Sequence, residues 1–335
     1  MRAAVITQFG GPEVLEIQDV PMPEAVADQV LVRVYASALN RADLLQRKGE
    51  YPAPAGSPQD IPGLEFAGEI AAVGALVIGW QVGQRVFGIS GGGAQAEYVV
   101  AHARMLMEIP AGMSWTEAAA IPEAFITAHD ALWIQARLRP NERVLINAVG
   151  SGVGLAAVQL VKAIGAQAFG TARTQSKLER AKRLGMVDGW MVGSGKELSR
   201  AAAEPKFDVV LELAGGDYVG GDLAALALKG RLMLVGTMAG SIANINLSLV
   251  LTKRLRVTGT VLRSRPLEEK IAATQVFAKE ALPLFAKGEL QAVVGQTFSL
   301  NQIVEAHRYM ESNSNTGKVV LSMREESNVA GHRGI

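Results

Sequence analysis

Apolar and polar positions along the chain fall into two rhythms. Up to about Ile121, short apolar or alternating runs such as 30–34 and 69–73 read as strands. Turn-rich stretches separate them, among them 51–63, which holds Pro52, Pro54, Pro58 and Pro62. From about Arg139 the pattern becomes strand, helix, strand with short links, the rhythm of a parallel sheet. It predicts six strands, at 144–148, 167–171, 189–192, 209–213, 231–236 and 256–260. Leu155, Val158, Gln159 and Lys162 stand at helical spacing, and 176–184 reads as an amphipathic helix beginning after Thr174. Beyond Leu262 come a long helical run at 267–286, a strand at 293–298, a helix near 303–310 and a strand at 318–323. That stretch is too small for a domain, so it is expected to return and complete the first unit. From Glu325 on there is no apolar periodicity, and residues 326–335 read as a mobile tail.

Composition narrows the classes. A chain of 335 residues, at roughly 150 per domain, fits about two domains, and 49% hydrophobic against 19% charged residues is a globular balance. Lys and Arg number 33 against 32 Asp and Glu. This leaves no field for a polyanion, so nucleic acid is not an expected partner. Cysteine is absent, which excludes a disulfide framework, a thiolate-ligated zinc, an iron–sulfur cluster and a cysteine nucleophile. The N-terminus lacks a secretory pattern and no apolar run approaches about 18 residues, so a cytoplasmic protein without a membrane span is expected.

The most informative local feature runs Arg143-Val-Leu-Ile-Asn-Ala-Val-Gly-Ser-Gly-Val-Gly-Leu: a strand enters glycines that open into a helix. Such a turn presents helix N-terminal amides to an anion and lets the backbone approach a pyrophosphate. Gly150, Gly152 and Gly154 do not keep the full G-x-G-x-x-G spacing, so a tight packing turn also satisfies the pattern. The six-strand context favours a nucleotide. An NAD site usually carries Asp or Glu about 20 residues beyond the glycines. This chain has Thr171-Ala-Arg-Thr-Gln-Ser-Lys there. Arg173 and Lys177, with the hydroxyls of Thr174 and Ser176, suit a 2′-phosphate, which points to NADPH. The alternative is that both cations are merely solvated at a helix start.

With these pieces in place, the chain resembles the medium-chain dehydrogenase/reductase superfamily and, within it, the zinc-free quinone oxidoreductases. The marks, in order, include Phe9-Gly-Gly-Pro-Glu-Val-Leu-Glu, Val30-Leu-Val-Arg-Val-Tyr-Ala-Ser-Ala-Leu-Asn-Arg-Ala-Asp, Arg47-Lys-Gly-Glu-Tyr-Pro, Pro62-Gly-Leu-Glu-Phe-Ala-Gly-Glu and Gly83-Gln-Arg-Val-Phe-Gly. The segments Ile121-Pro-Glu-Ala-Phe-Ile-Thr-Ala, Leu262-Arg-Ser-Arg and Asn315-Thr-Gly-Lys are similar to the tumour-suppressor-inducible branch. The resemblance implies an α/β fold: a GroES-like β-rich catalytic domain over residues 1–123 and 264–325, and a Rossmann domain over 124–263. Asn40 and Leu64 stand where zinc-dependent relatives carry a Cys and a His ligand, and neither can replace its counterpart. The four His are scattered, with surface or packing roles expected.

By resemblance, Asn40 lies beside nicotinamide and substrate, where its amide would donate to a developing oxyanion. Thr127 lies near the carboxamide. Ser151, Gly152 and Val153 line the pyrophosphate, and Arg173, Thr174 and Lys177 meet the adenosine end. Leu262, Ser264 and Asn315 approach the nicotinamide half. Tyr51 occupies the place of a cleft aromatic and is read as substrate-binding first. As a general acid it would need help, since a phenol ordinarily titrates near ~10. Glu65 is read as a structural ion-pair or hydrogen-bond partner. Related chains often place a Tyr on the third strand against the NADP phosphate, whereas this one has Met191-Val192-Gly193. The implied reaction is NADPH-dependent quinone reduction without metal or flavin. Reduction of an activated C=C bond in an enone or alkenal is the closest alternative, and a non-catalytic NADPH-binding or RNA-interacting protein is a further one. A homodimer paired through the outer strand of the nucleotide sheet is also implied, with 245–251 beside that edge or buried within one subunit.

Overall fold

The computed structural model describes residues 1–201, 204 and 206–323; the tail expected at 326–335 lies outside the described residues. Strands β1 (Arg2–Ile6) and β2 (Leu15–Asp19) form an antiparallel pair. The strands β3 (Gln29–Ala38), β4 (Glu65–Val73), β5 (Arg85–Ile89), β6 (Tyr98–His102) and β7 (Leu106–Glu108) belong to a larger, mostly antiparallel sheet. Three helices border this unit: α1 (Arg41–Arg47), α2 (Trp115–Ala119) and α3 (Pro122–His129).

The second sheet contains β8 (Arg143–Ile146), β9 (Gln167–Ala172), β10 (Asp188–Met191), β11 (Phe207–Glu212), β12 (Leu226–Leu234) and β13 (Arg256–Gly259). All its pairings are parallel, in the order β10-β9-β8-β11-β12-β13. The order reverses beside β8, leaving a crevice at the strand C-termini where open α/β sheets bind ligands. β8 and β11 are buried along nearly their whole length because helices cover both faces.

After β13 the chain returns to the first unit. β14 (Val294–Ser299) pairs with β15 (Lys318–Ser322), and β15 pairs antiparallel with β3, completing a seven-stranded sheet. The helical run expected over 267–286 divides into Leu267–Glu280 and Leu282–Ala286. Pro283 causes the break: it has no amide to donate and fits only a first turn. β12 begins at Leu226, five residues before its expected start at 231. The largest apolar cluster spans both sheets, joining Ala36 and Phe87 to Val144, Ile146 and Leu155 through 118–132. The two units therefore share one apolar core beside the cleft. Among the described residues, no helix is long and apolar enough to cross a membrane.

Candidate active site

A cleft of about 1250 Å³ runs between the two units. Its floor is the glycine-rich turn between β8 and helix α4 (Gly152–Ala163). Ser151 caps α4, its Oγ accepting from the Gly154 amide at 3.0 Å. A helix leaves its first amides without intrahelical acceptors, and Gly152 and Val153 carry two of them at the cleft wall. Ala148 precedes the turn with φ near +50°, a left-handed conformation that turns the chain into the cleft. A Cβ on Gly154 would stand 2.6 Å from the Val149 carbonyl oxygen. This glycine thus lets helix and strand close on one another.

One side of the cleft is cationic. Arg173 comes from the turn after β9 and Lys177 from the start of helix α5 (Gln175–Arg183), and Arg41 comes from α1 in the other unit. Lys177 Nζ donates to the Asn313 carbonyl at 2.6 Å, and Arg41 donates to the Asn313 side chain. Burial, then the neighbouring Arg173, hold the Arg41 guanidinium below its ordinary value, with Glu311 offsetting in part. Lys177 is lowered by burial, Arg173 and Arg41, in that order. Three cations in mutual repulsion make a site that an anion would relieve. Arg41 was not expected from the sequence, since 132 residues separate it from Arg173. A tyrosine does stand near Arg173, but it is Tyr218, from the helix after β11; burial raises its phenol.

The opposite side is built on a buried ion pair. Lys318 Nζ lies 2.5 Å from Glu65 Oε1 and donates to the Asn40 Oδ1 and the Leu39 carbonyl at 2.7 and 2.9 Å. Asn40 Nδ2 donates to Glu65 Oε1 at 2.8 Å and reaches the Ala38 carbonyl at 3.4 Å. Glu65 is thus an ion-pair and hydrogen-bond partner, in line with its sequence reading. The Asn40 amide, expected to serve an oxyanion, is instead engaged inside the protein. Lys318 carries no signal for this role in the sequence, because its partners Leu39, Asn40 and Glu65 lie far from it along the chain.

Tyr51 lies half-buried in the wall beneath Arg263, whose guanidinium carbon sits 5.3 Å from the ring centroid. Arg263 is fixed by the Gln46 side chain at 2.6 Å and the Gly91 carbonyl at 2.9 Å. Thr127 and the buried Leu262 and Asn315 also line the cleft. Asn315 Nδ2 donates to the Gly317 carbonyl at 3.0 Å. Two expected residues are not in the wall: Thr174 is exposed with Oγ1 3.3 Å from Ser176 Oγ, and Ser264 is exposed. A helix cap and a surface turn hold them away.

Glu123 also lines the cleft, on the first turn of α3. Its amide donates to Glu65 Oε2 at 2.8 Å. Burial and the adjacent Glu65 push its carboxyl up to about 8, with Lys318 and Arg263 pulling against them and Asp43 adding to them. Asp43, raised by burial to about 6, accepts from the Asn40 and Gly63 amides. The sequence carried a signal for Glu123: it is a lone acid within the apolar run 118–126.

A parallel sheet with a glycine turn at its switch point, joined to a β-rich unit across a cleft, defines a dinucleotide-dependent dehydrogenase scaffold. Comparison with known proteins agrees. Residues 26–111 match the alcohol dehydrogenase GroES-like domain, and residues 190–321 match the zinc-binding dehydrogenase family. The quinone oxidoreductase of Lama guanicoe is 33% identical over 97% of this chain and 98% of its own. The CurK enoyl reductase structure is 30% identical with a TM-score of 0.84, covering 96% of this chain and 99% of that one. A mycobacterial structure in complex with NADPH is 25% identical, TM-score 0.87, over 96% and 99%. The chain belongs to the medium-chain dehydrogenase/reductase superfamily, among its quinone oxidoreductases.

Proposed function

We propose that the chain reduces quinones with hydride from NADPH and without zinc. One observation carries the reading: a single cleft joins the cationic cluster of Arg41, Arg173 and Lys177 to a wall of Tyr51, Leu64 and Leu262. The cations fit a 2′-phosphate, and the first turn of α4 fits a pyrophosphate. The far wall suits a flat, apolar acceptor. The bound nicotinamide supplies the hydride; the protein's task is to hold the two rings in contact and exclude water. Ser151, Gly152 and Val153 take the pyrophosphate, while Thr127, Leu262 and Asn315 border the nicotinamide half. Tyr51 stacks on the acceptor, and Asn40, fixed by Lys318 and Glu65, shapes the floor beneath it. Thr174 and Ser264 would join only if their loops moved inward.

The zinc-independent reading rests on donor chemistry. Leu64 is apolar and fully buried, and the Asn40 oxygen is taken by Lys318. A quinone accepts hydride without a Lewis acid. The resemblance to an enoyl reductase supports a second reading, reduction of an activated C=C bond, which needs the same donor and cleft.

For assembly we propose a homodimer through the edge strand β13. All its residues are exposed, and the adjacent helix Leu247–Lys253 exposes Leu247 and Leu251.

Arg173→Ala is expected to raise the NADPH dissociation constant tenfold or more and to leave that for NADH within about twofold, consistent with loss of a charge-assisted contact of roughly 1.5–3 kcal/mol. Fluorescence titration with both cofactors measures this. Equal effects would remove the 2′-phosphate assignment. Initial rates with ortho-quinones, para-quinones and alkenals decide the acceptor, and turnover of alkenals alone would replace the quinone reading with the second one.

A further inference from the structure

We propose that Glu123 is the proton donor of this site, delivering its carboxyl proton to the anion that hydride transfer leaves on the acceptor. The inference rests on the reductase reading above. Its geometric basis is position. Glu123 shares the cleft wall with Tyr51, Leu64, Thr127 and Leu262, where a flat acceptor would lie. Its backbone is anchored, because the amide donates to Glu65 Oε2 and the preceding Pro122 starts the helix. Its neighbours are otherwise committed. Glu65 is paired with Lys318, Asp43 accepts two backbone amides, and Arg263 is held by Gln46 and Gly91. Among the described residues, no side chain within hydrogen-bonding distance takes up the Glu123 carboxyl, which leaves it for a ligand.

The charged groups around Glu123 come from every side. Glu65 on β4 and Asp43 on α1 are acidic; Lys318 on β15, Arg263 and Lys270 are basic. In the same cleft Asp130 and Arg265 neutralise one another at 2.5 Å. Burial and Glu65 outweigh the cations, so the carboxyl keeps its proton at neutral pH. A neutral carboxylic acid can donate where a carboxylate cannot.

The reaction balances. Bound in the cleft, NADPH would supply a hydride with its electron pair and be oxidised, and a quinone held beside Tyr51 and Leu262 would be reduced to the hydroquinone monoanion. The Glu123 O–H bond then breaks and an O–H bond forms on the anionic oxygen. The Glu123 carboxylate regains a proton from solvent once the product has left. For an enone acceptor, the same proton goes to the carbon next to the carbonyl.

The test compares wild type with Glu123→Gln, which keeps the shape but has no acidic proton, and with Glu123→Asp, which restores an acid. Infrared spectroscopy of the protein alone is expected to show a protonated-carboxyl band at pH 7 that titrates away with a midpoint near 8 and is missing in Glu123→Gln. With NADPH and phenanthrenequinone, kcat of the wild type should fall above about pH 8. Glu123→Gln should lose that limb and about 10²-fold in kcat at pH 7, with KM within about twofold. Glu123→Asp should recover part of both. A Glu123 carboxylate already ionised at pH 7, or Glu123→Gln with unchanged kcat and pH profile, would overturn the proposal. Failure of the wild type to turn over either phenanthrenequinone or cyclohexenone overturns the reductase reading itself, and the infrared arm distinguishes that result from loss of the Glu123 proton alone.

Discussion

His307 is fully buried against Arg47, whose Nη1 lies 3.2 Å from the ring Nδ1; among the described residues the buried Nε2 has no hydrogen-bond partner. Burial first, then the Arg47 charge, push the imidazole down to about 3. The folded pKa is below the unfolded value of ~6.5, so the unfolded chain binds the proton more readily. The neutral ring therefore contributes its full stability above about pH 6.5, and that contribution is lost as the pH falls towards 3. At pH 5 the loss should be about 2 kcal/mol. Urea melts at pH 7 and 5 should show His307→Leu losing less stability than wild type over that interval by this amount. At this same scale, the sequence marked Arg173, Lys177 and Tyr51 because motif spacing and resemblance point to them. It did not mark Arg41, Lys318 or Glu123 as site residues. Their roles come from burial and from charges contributed by other elements.

The elements themselves were largely legible. Each of the six strands expected from apolar runs corresponds to one of β8–β13, and the helix after the glycine turn begins at Gly152 behind its Ser151 cap. Periodicity and turn chemistry are local properties, so they survive into the fold. The long run at 267–286 reads as one helix because apolar spacing continues through Pro283, whereas the backbone cannot. At the glycine turn, Gly154→Ala would place a methyl group 2.6–2.8 Å from the Val149 backbone. It should lower stability by about 1–3 kcal/mol and weaken cofactor binding, because α4 must move off β8. Thermal denaturation together with NADPH titration checks both effects.

Across the whole molecule, the returning segment ties the two sequence rhythms together. β15 closes the first sheet on β3 and brings Lys318 to Asn40, 278 residues earlier in the chain. The outer edge of the second sheet is left open at β13, where Val257 is 45% exposed and the nearby Leu251 is 75% exposed. The double variant Val257→Lys with Leu251→Asp should convert a dimer to a monomer in sedimentation equilibrium, with NADPH affinity unchanged because neither side chain lines the cleft. A wild type that sediments as a monomer would remove the proposed interface.

The sequence by itself determined the two rhythms, the glycine turn, the cysteine-free composition and the cations after β9, because each is written in neighbouring residues. Only the tertiary structure decided that Arg41 joins those cations, that Lys318 and Glu65 fix Asn40, and that Glu123 lines the cleft where burial and Glu65 raise its carboxyl. These depend on desolvation and on charge pairs across long loops, which arise only when distant segments are packed together.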